Sequence, residues 1–111
     1  MGFILKIIIT GIVAIILTKF FPGVTIDGVV SGILLALVLA LLNAVVRPIL
    51  VFLTVPITFF TLGLFLLVIN AIILYLADYI LDGVEVSGFI TAVLYSLALA
   101  VATYIIDKIV G

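Results

Sequence analysis

The side chains able to do chemistry in this chain of 111 residues are few, and those in or beside apolar stretches are Asn43, Arg47, Asn70 and Asp107. Asn43 and Arg47 are four positions apart, so they share one helical face. A guanidinium at the centre of a membrane helix costs about 2.5–3.5 kcal/mol, and less towards an end, so Arg47 either snorkels to headgroups or has a polar partner. Asn70 is followed two turns later by Asp78, on roughly the same face. An embedded amide of this kind either bonds a neighbouring helix or lines a polar cavity. The chain has no histidine and no cysteine, which removes thiolate metal sites and the usual general base. No pair of embedded carboxylates and no nucleophile beside a base can be found, so neither an enzyme nor a cofactor is expected.

These groups sit in a sequence that is 69% hydrophobic and 8% charged. Such a composition describes an integral membrane protein, whose partner is the lipid bilayer. No basic patch supports nucleic-acid binding. A span needs roughly 20 apolar residues to cross ~30 Å of hydrocarbon, and residues 3–21, 29–47, 57–77 and 89–106 each fit. The expected fold is therefore all-α, with four transmembrane helices in a single membrane domain over 1–111. Lys6 precedes an apolar run, but no signal-type cleavage site follows before Lys19, so the first span is read as retained. Between Arg47 and Asp78 lie 30 uncharged residues, too many for one upright helix and too few for two. Pro48 and Pro56 break the early part, which predicts a short apolar connector over about 48–56 that dips into the bilayer or lies along it.

The chain also repeats itself. Residues 23–28 and 83–88 share a Gly-Val-x-[Ile/Val]-x-Gly signature, and aligning 9–50 with 69–110 gives about 10 identities in 42. Each signature leads into a row of small residues at four-residue spacing. The first row is Gly28, Gly32, Ala36, Ala40 and Ala44; the second is Gly88, Ala92, Ser96 and Ala100. The repeat predicts two tandem two-helix hairpins, about 1–50 and about 61–111, related by a pseudo-two-fold axis along the membrane normal. Small faces allow close backbone approach in lipid, so spans two and four are expected to pack through these rows. That contact is either an internal seam or a homo-oligomer interface. The same offset aligns Arg47 with Asp107, Asn43 with Thr103 and Asn70 with Thr10, and an Arg47–Asp107 ion pair is one expectation. The segments Val24–Asp27 and Val84–Ser87 alternate apolar and polar residues and are expected to pair as a small two-stranded cap.

With four spans, both termini and the connector share a side, where Lys6, Arg47 and Lys108 oppose only Asp107. The other side has Lys19 against Asp27, Asp78, Asp82 and Glu85. By the positive-inside rule the termini are cytoplasmic and the short loops are outside.

The stretch from Asn43 through Arg47-Pro48-Ile-Leu, Thr54-Val-Pro56-Ile-Thr58, Thr61-Leu-Gly63 and Val68-Ile-Asn70-Ala resembles the central signature of phage-holin superfamily IV, the YvlD-like small bacterial membrane proteins. Gly83-Val-Glu-Val-Ser-Gly88-Phe89 is similar to that family's outer-loop pattern. The resemblance marks Asn43, Arg47, Pro48, Pro56, Gly63 and Asn70. It implies a small oligomeric protein of the bacterial inner membrane, forming holin-like lesions or acting in membrane maintenance. The sequence has no tryptophan and no extended charged C-terminal tail of the kind expected of a lytic holin. Two other readings stand beside it: a structural or regulatory protein without transport, and an anion-favouring channel or transporter lined by Asn43, Arg47 and Asn70.

Overall fold

A computed structural model describes residues 2–110. In chain order the elements are α1 (Phe3–Leu17), a 3₁₀ turn (Thr18–Phe20), β1 (Val24–Ile26), α2 (Gly28–Leu53), α3 (Val55–Phe60), α4 (Phe65–Ile80), β2 (Val84–Val86) and α5 (Phe89–Val110). α1 is rich in isoleucine, a mediocre helix former in water. In hydrocarbon a helix satisfies every backbone group locally, and that requirement outweighs propensity.

Among the described residues three helices, counting α1 with its 3₁₀ turn, are long and apolar enough to cross a membrane, and α4 is a shorter apolar helix. At 1.5 Å per residue the 16 residues of α4 rise roughly 24 Å and the 26 of α2 roughly 39 Å. The bundle is all-helical in its spans, as the composition requires. The helices form a ring in the order α1, α2, α4, α5, each packed on its two neighbours.

The connector differs from the expected one. α2 runs through Pro48 to Leu53, and Pro56 occupies the first turn of α3 instead of breaking a chain segment. A proline inside a helix costs about 3 kcal/mol. Ending the helix at residue 47 would strip several backbone groups of partners in hydrocarbon, at several kcal/mol each. Continuation is the cheaper outcome. The helix is interrupted first at Thr54 and again at Leu62 (φ 57°) and Gly63 (φ 89°), where Gly63 N–H bonds back to Thr58 O at 2.8 Å and α4 begins only at Phe65. The third span expected over 57–77 is thus divided between α3, this turn and α4.

The two Gly-flanked segments do pair. β1 and β2 are antiparallel, with Val24 opposite Val86, Thr25 opposite Glu85 and Ile26 opposite Val84. Backbone bonds extend the pair at both ends, Asp27 N to Gly83 O and Ser87 N to Gly23 O, each 2.6 Å. Val24, Val84 and Val86 point into the bundle and are buried, while Thr25 and Glu85 face out. The core lies directly beneath this cap. It includes Ala14, Leu35, Leu74 and Tyr95, one from each helix of the ring and each at most 1% exposed.

The small-residue rows do not bring α2 and α5 together, because these helices lie across the ring from each other. Gly32 instead packs against α1, where a side chain on Gly11 would meet Gly32 O and the Ile33 backbone at 2.9 Å. The small residues permit close approach within one hairpin, between α1 and α2.

Candidate functional site

Away from the cap, the four ring helices separate around a cavity of about 350 Å³. Its apolar wall includes Ala36, Leu39 and Ala40 from α2, Ile73 and Leu74 from α4, and Leu99 and Ala100 from α5. Its polar positions are Lys6 and Thr10 on α1, Asn43 and Arg47 on α2, Asn70 on α4, and Ser96 and Thr103 on α5. The small residues explain the space. Ala36, Ala40, Ser96 and Ala100 present little side-chain volume to the cavity, whereas Leu35 and Tyr95, the residues just before Ala36 and Ser96, fill the core on the cap side.

Arg47 is the centre of the polar wall. Its Nη1 donates to Asn70 Oδ1 at 2.5 Å and to Asn43 Oδ1 at 3.3 Å. The Asn43 amide is itself anchored, Nδ2 donating to Leu39 O at 2.8 Å. Asn43 and Arg47 meet because they are one helical turn apart; Asn70 joins them because α2 and α4 are ring neighbours. The expected Arg47–Asp107 pair is not made. Asp107 is on α5, across the ring from α2, and does not line the cavity. Ser96 and Thr103 return their hydroxyl protons to Val93 O and Leu99 O of their own helix. Pro48 and Pro56 lie outside the cavity, the first within α2 and the second in α3. Gly28 and Gly88, with φ of 87° and 93°, open α2 and precede α5 at the cap, and Ala92 is buried in the core.

Three contacts close the cap side. Tyr95 Oη donates to Ala14 O at 2.5 Å, and Phe21 meets the Tyr95 ring edge-on with centroids 5.6 Å apart. Asp78 accepts from Val86 N at 3.0 Å, tying β2 to the end of α4. Lys6, Thr10, Gly11 and Tyr95 were not expected as site or packing residues. The repeat offset pointed to two of them, since Thr10 aligns with Asn70 and Gly11 with the buried Ala71. Among the described residues no cluster of three or more His, Cys, Asp or Glu is placed to hold a metal ion.

The connector carries little buried surface. No residue of α3 is buried, and Phe59, Phe60 and Leu62 are 76%, 82% and 93% exposed.

Residues 1–105 match the family described as mycobacterial four-transmembrane-segment phage holin, superfamily IV. The chain is 35% identical over 104 residues to the uncharacterised membrane protein YvlD of Bacillus subtilis strain 168, covering 93% of this chain and 87% of the relative. It is 39% identical over 89 residues to an uncharacterised protein of Streptomyces coelicolor, covering 77% of this chain and 71% of the relative. No solved structure matches it significantly. With a match across nearly its whole length and the apolar helices to go with it, the chain belongs to phage-holin superfamily IV, a family of four-span membrane proteins.

Proposed function

We propose that this protein is a small oligomeric component of the bacterial cytoplasmic membrane that acts on the bilayer from between copies, through lesions or in membrane maintenance, and conducts nothing through a single bundle. The observation that carries this is the packed layer of Ala14, Leu35, Leu74 and Tyr95 under the β1–β2 cap. The cavity reaches that layer at Leu74, and the layer's residues are at most 1% exposed, which supports a cavity open at one end. This disfavours an ion path lined by Asn43, Arg47 and Asn70. The uncovered aromatic connector supports action on lipid, since Phe59, Phe60 and Leu62 have no protein to cover them and suit the headgroup–acyl boundary.

The same reading takes the fold as two tandem hairpins about a pseudo-two-fold axis. The register supports it, because the bonds Asp27 N to Gly83 O and Ser87 N to Gly23 O interconvert when 60 is added to each first-copy number. The excess of Lys6, Arg47 and Lys108 at one end favours cytoplasmic termini. No reaction is assigned to the protein.

The test is leakage from proteoliposomes loaded with small ions and dyes of graded size, across a range of protein-to-lipid ratios. Leakage of dyes that rises more steeply than linearly with protein is expected for lesions between copies. Tight vesicles at every ratio would leave the maintenance role. Ion-only flux, linear in protein and altered by Arg47→Ala, would overturn the proposal.

A further inference from the structure

Among the described residues Arg47 has no carboxylate partner. Both acceptors of its Nη1 are neutral amide oxygens, and its Nε and Nη2 donors have no acceptor among the described residues. A guanidinium has five N–H donors, so most of its capacity is unused. Asn70 turns its oxygen to Arg47, and its Nδ2 donors have no acceptor among the described residues. Lys6 adds a second cation to the same cavity, and no aspartate or glutamate is among its described lining residues. The unused donors of the half-buried Arg47 and the ammonium of the exposed Lys6 face one apolar-walled cavity, an arrangement that suits an anion.

From this we infer that the cavity is a binding site for a phosphate-bearing anion, held by Arg47 and Lys6 with Asn70 as a further donor. Guanidinium geometry matches phosphate oxygens in pairs. A volume of about 350 Å³ is near the lower end of ligand sites, roughly 300–1,000 Å³. It takes a headgroup, and the acyl chains of a diacyl lipid remain in the bilayer. Leu39 and Leu99 give the site an apolar wall suited to the first methylenes of such a lipid's acyl chains, where they leave the site for the bilayer. The same phosphate chemistry is offered by a glycerophospholipid and by a soluble phosphate ester. This inference deepens the preceding proposal by giving the one-sided cavity an occupant. Permeability and ligand retention are separate readouts, so either proposal can fail alone.

The experiment is native mass spectrometry of the purified full chain, released from detergent after incubation with phosphatidylglycerol, phosphatidylcholine or inorganic phosphate. The variants are Arg47→Gln, Lys6→Gln, Lys108→Gln and Asn70→Asp. Retention of phosphatidylglycerol should fall about tenfold in Arg47→Gln and severalfold in Lys6→Gln, the size of effect expected for losing a charge-assisted contact. Lys108→Gln should match wild type, because Lys108 lies over the Tyr104 ring and not in the cavity. Asn70→Asp keeps the volume and supplies a carboxylate beside Arg47. It should raise thermal stability while losing the lipid, which guards against a variant that merely misfolds. Phosphate adducts that depend on Arg47, without preference for phosphatidylglycerol, would keep the anion site and make its source soluble. Equal retention of phosphatidylcholine, or retention unchanged in Arg47→Gln and Asn70→Asp, would overturn it.

Discussion

Thr25 and Glu85 face each other at the midpoint of the β1–β2 pair, and their numbers differ by the same 60 that separates the two Gly-Val signatures. The offset continues inward, relating Ala14 to Leu74 and Leu35 to Tyr95 in the buried layer. It fails at the polar end. Arg47 bonds Asn70, and the offset would require a bond between Asp107 and Thr10, whereas Asp107 does not line the cavity. The offset thus describes the strand register and the buried layer, while the cavity end has cations on α1 and α2 and, among the described residues, no carboxylate lining it.

The Arg47–Asn70 contact couples α2 to α4, so its two ends should not behave independently. Inter-helix hydrogen bonds in membranes average about 0.6 kcal/mol and reach about 1.7 kcal/mol, and a charged donor belongs at the upper end. Arg47→Gln, Asn70→Ala and the double variant should give a coupling of about 1 kcal/mol in a double-mutant cycle read by denaturant titration in micelles. Additive losses would mean that the contact contributes nothing to the bundle.

Gly11 and Gly32 face each other, yet they should not tolerate alanine equally. A Cβ on Gly11 would meet Gly32 O and the Ile33 N and Cα atoms at 2.9 Å, all backbone, which can move only if the helices separate. On Gly32 it would meet Ile15 Cδ1 at 2.6 Å, the end of a side chain with other rotamers, and Gly11 O at 3.0 Å. Gly11→Ala should therefore destabilise by roughly 1–3 kcal/mol and Gly32→Ala by less. Thermal unfolding of both variants in one detergent checks the order, and the reverse order would contradict the packing.

Tyr95 is used for its hydroxyl as well as its ring. At the end of α1 the Thr18 N–H bonds to Ile15 O and Ile16 O as the helix tightens into the 3₁₀ turn, so Ala14 O loses its usual backbone donor. The Tyr95 hydroxyl takes that place. Tyr95→Phe keeps the packing and leaves a buried carbonyl unpaired, a loss of about 1–3 kcal/mol. Unchanged stability in Tyr95→Phe would show that Ala14 O finds another donor.

Much of this arrangement was legible in the residues. Period-60 glycines marked the cap, and alternation in Val24-Thr25-Ile26 and Val84-Glu85-Val86 marked the strands, because a β pair needs both a turn and a face. Three things were not legible. Proline statistics from water placed a helix end at residue 47, and lipid reversed that preference by raising the cost of unpaired backbone. The small-residue row identified α2 as a close-packing helix but could not say which neighbour it met, since spacing fixes a face and not a partner. The repeat offset, which aligns Arg47 with Asp107, offered that pair as one partner for the guanidinium. The ring order, which places α4 next to α2 and α5 across from it, gave it Asn70 instead.

That ring order and the strand register can be tested together, because the chain has no cysteine to give a background. Directly opposed residues of an antiparallel pair have Cα atoms about 4.5–5.5 Å apart, within the roughly 4.4–6.8 Å that a disulfide spans. Thr25→Cys with Glu85→Cys should therefore cross-link within one chain on mild oxidation, leaving a monomer of altered mobility. Arg47→Cys with Asp107→Cys should not, because α2 and α5 are across the ring. The comparison distinguishes more than presence from absence. A 25–85 bond recovered only between chains would mean that the cap forms by exchange of hairpins, and the buried layer beneath it would then belong to a dimer. A fast 47–107 bond within one chain would place α2 beside α5, and both the cavity and the Arg47–Asn70 contact would have to be abandoned.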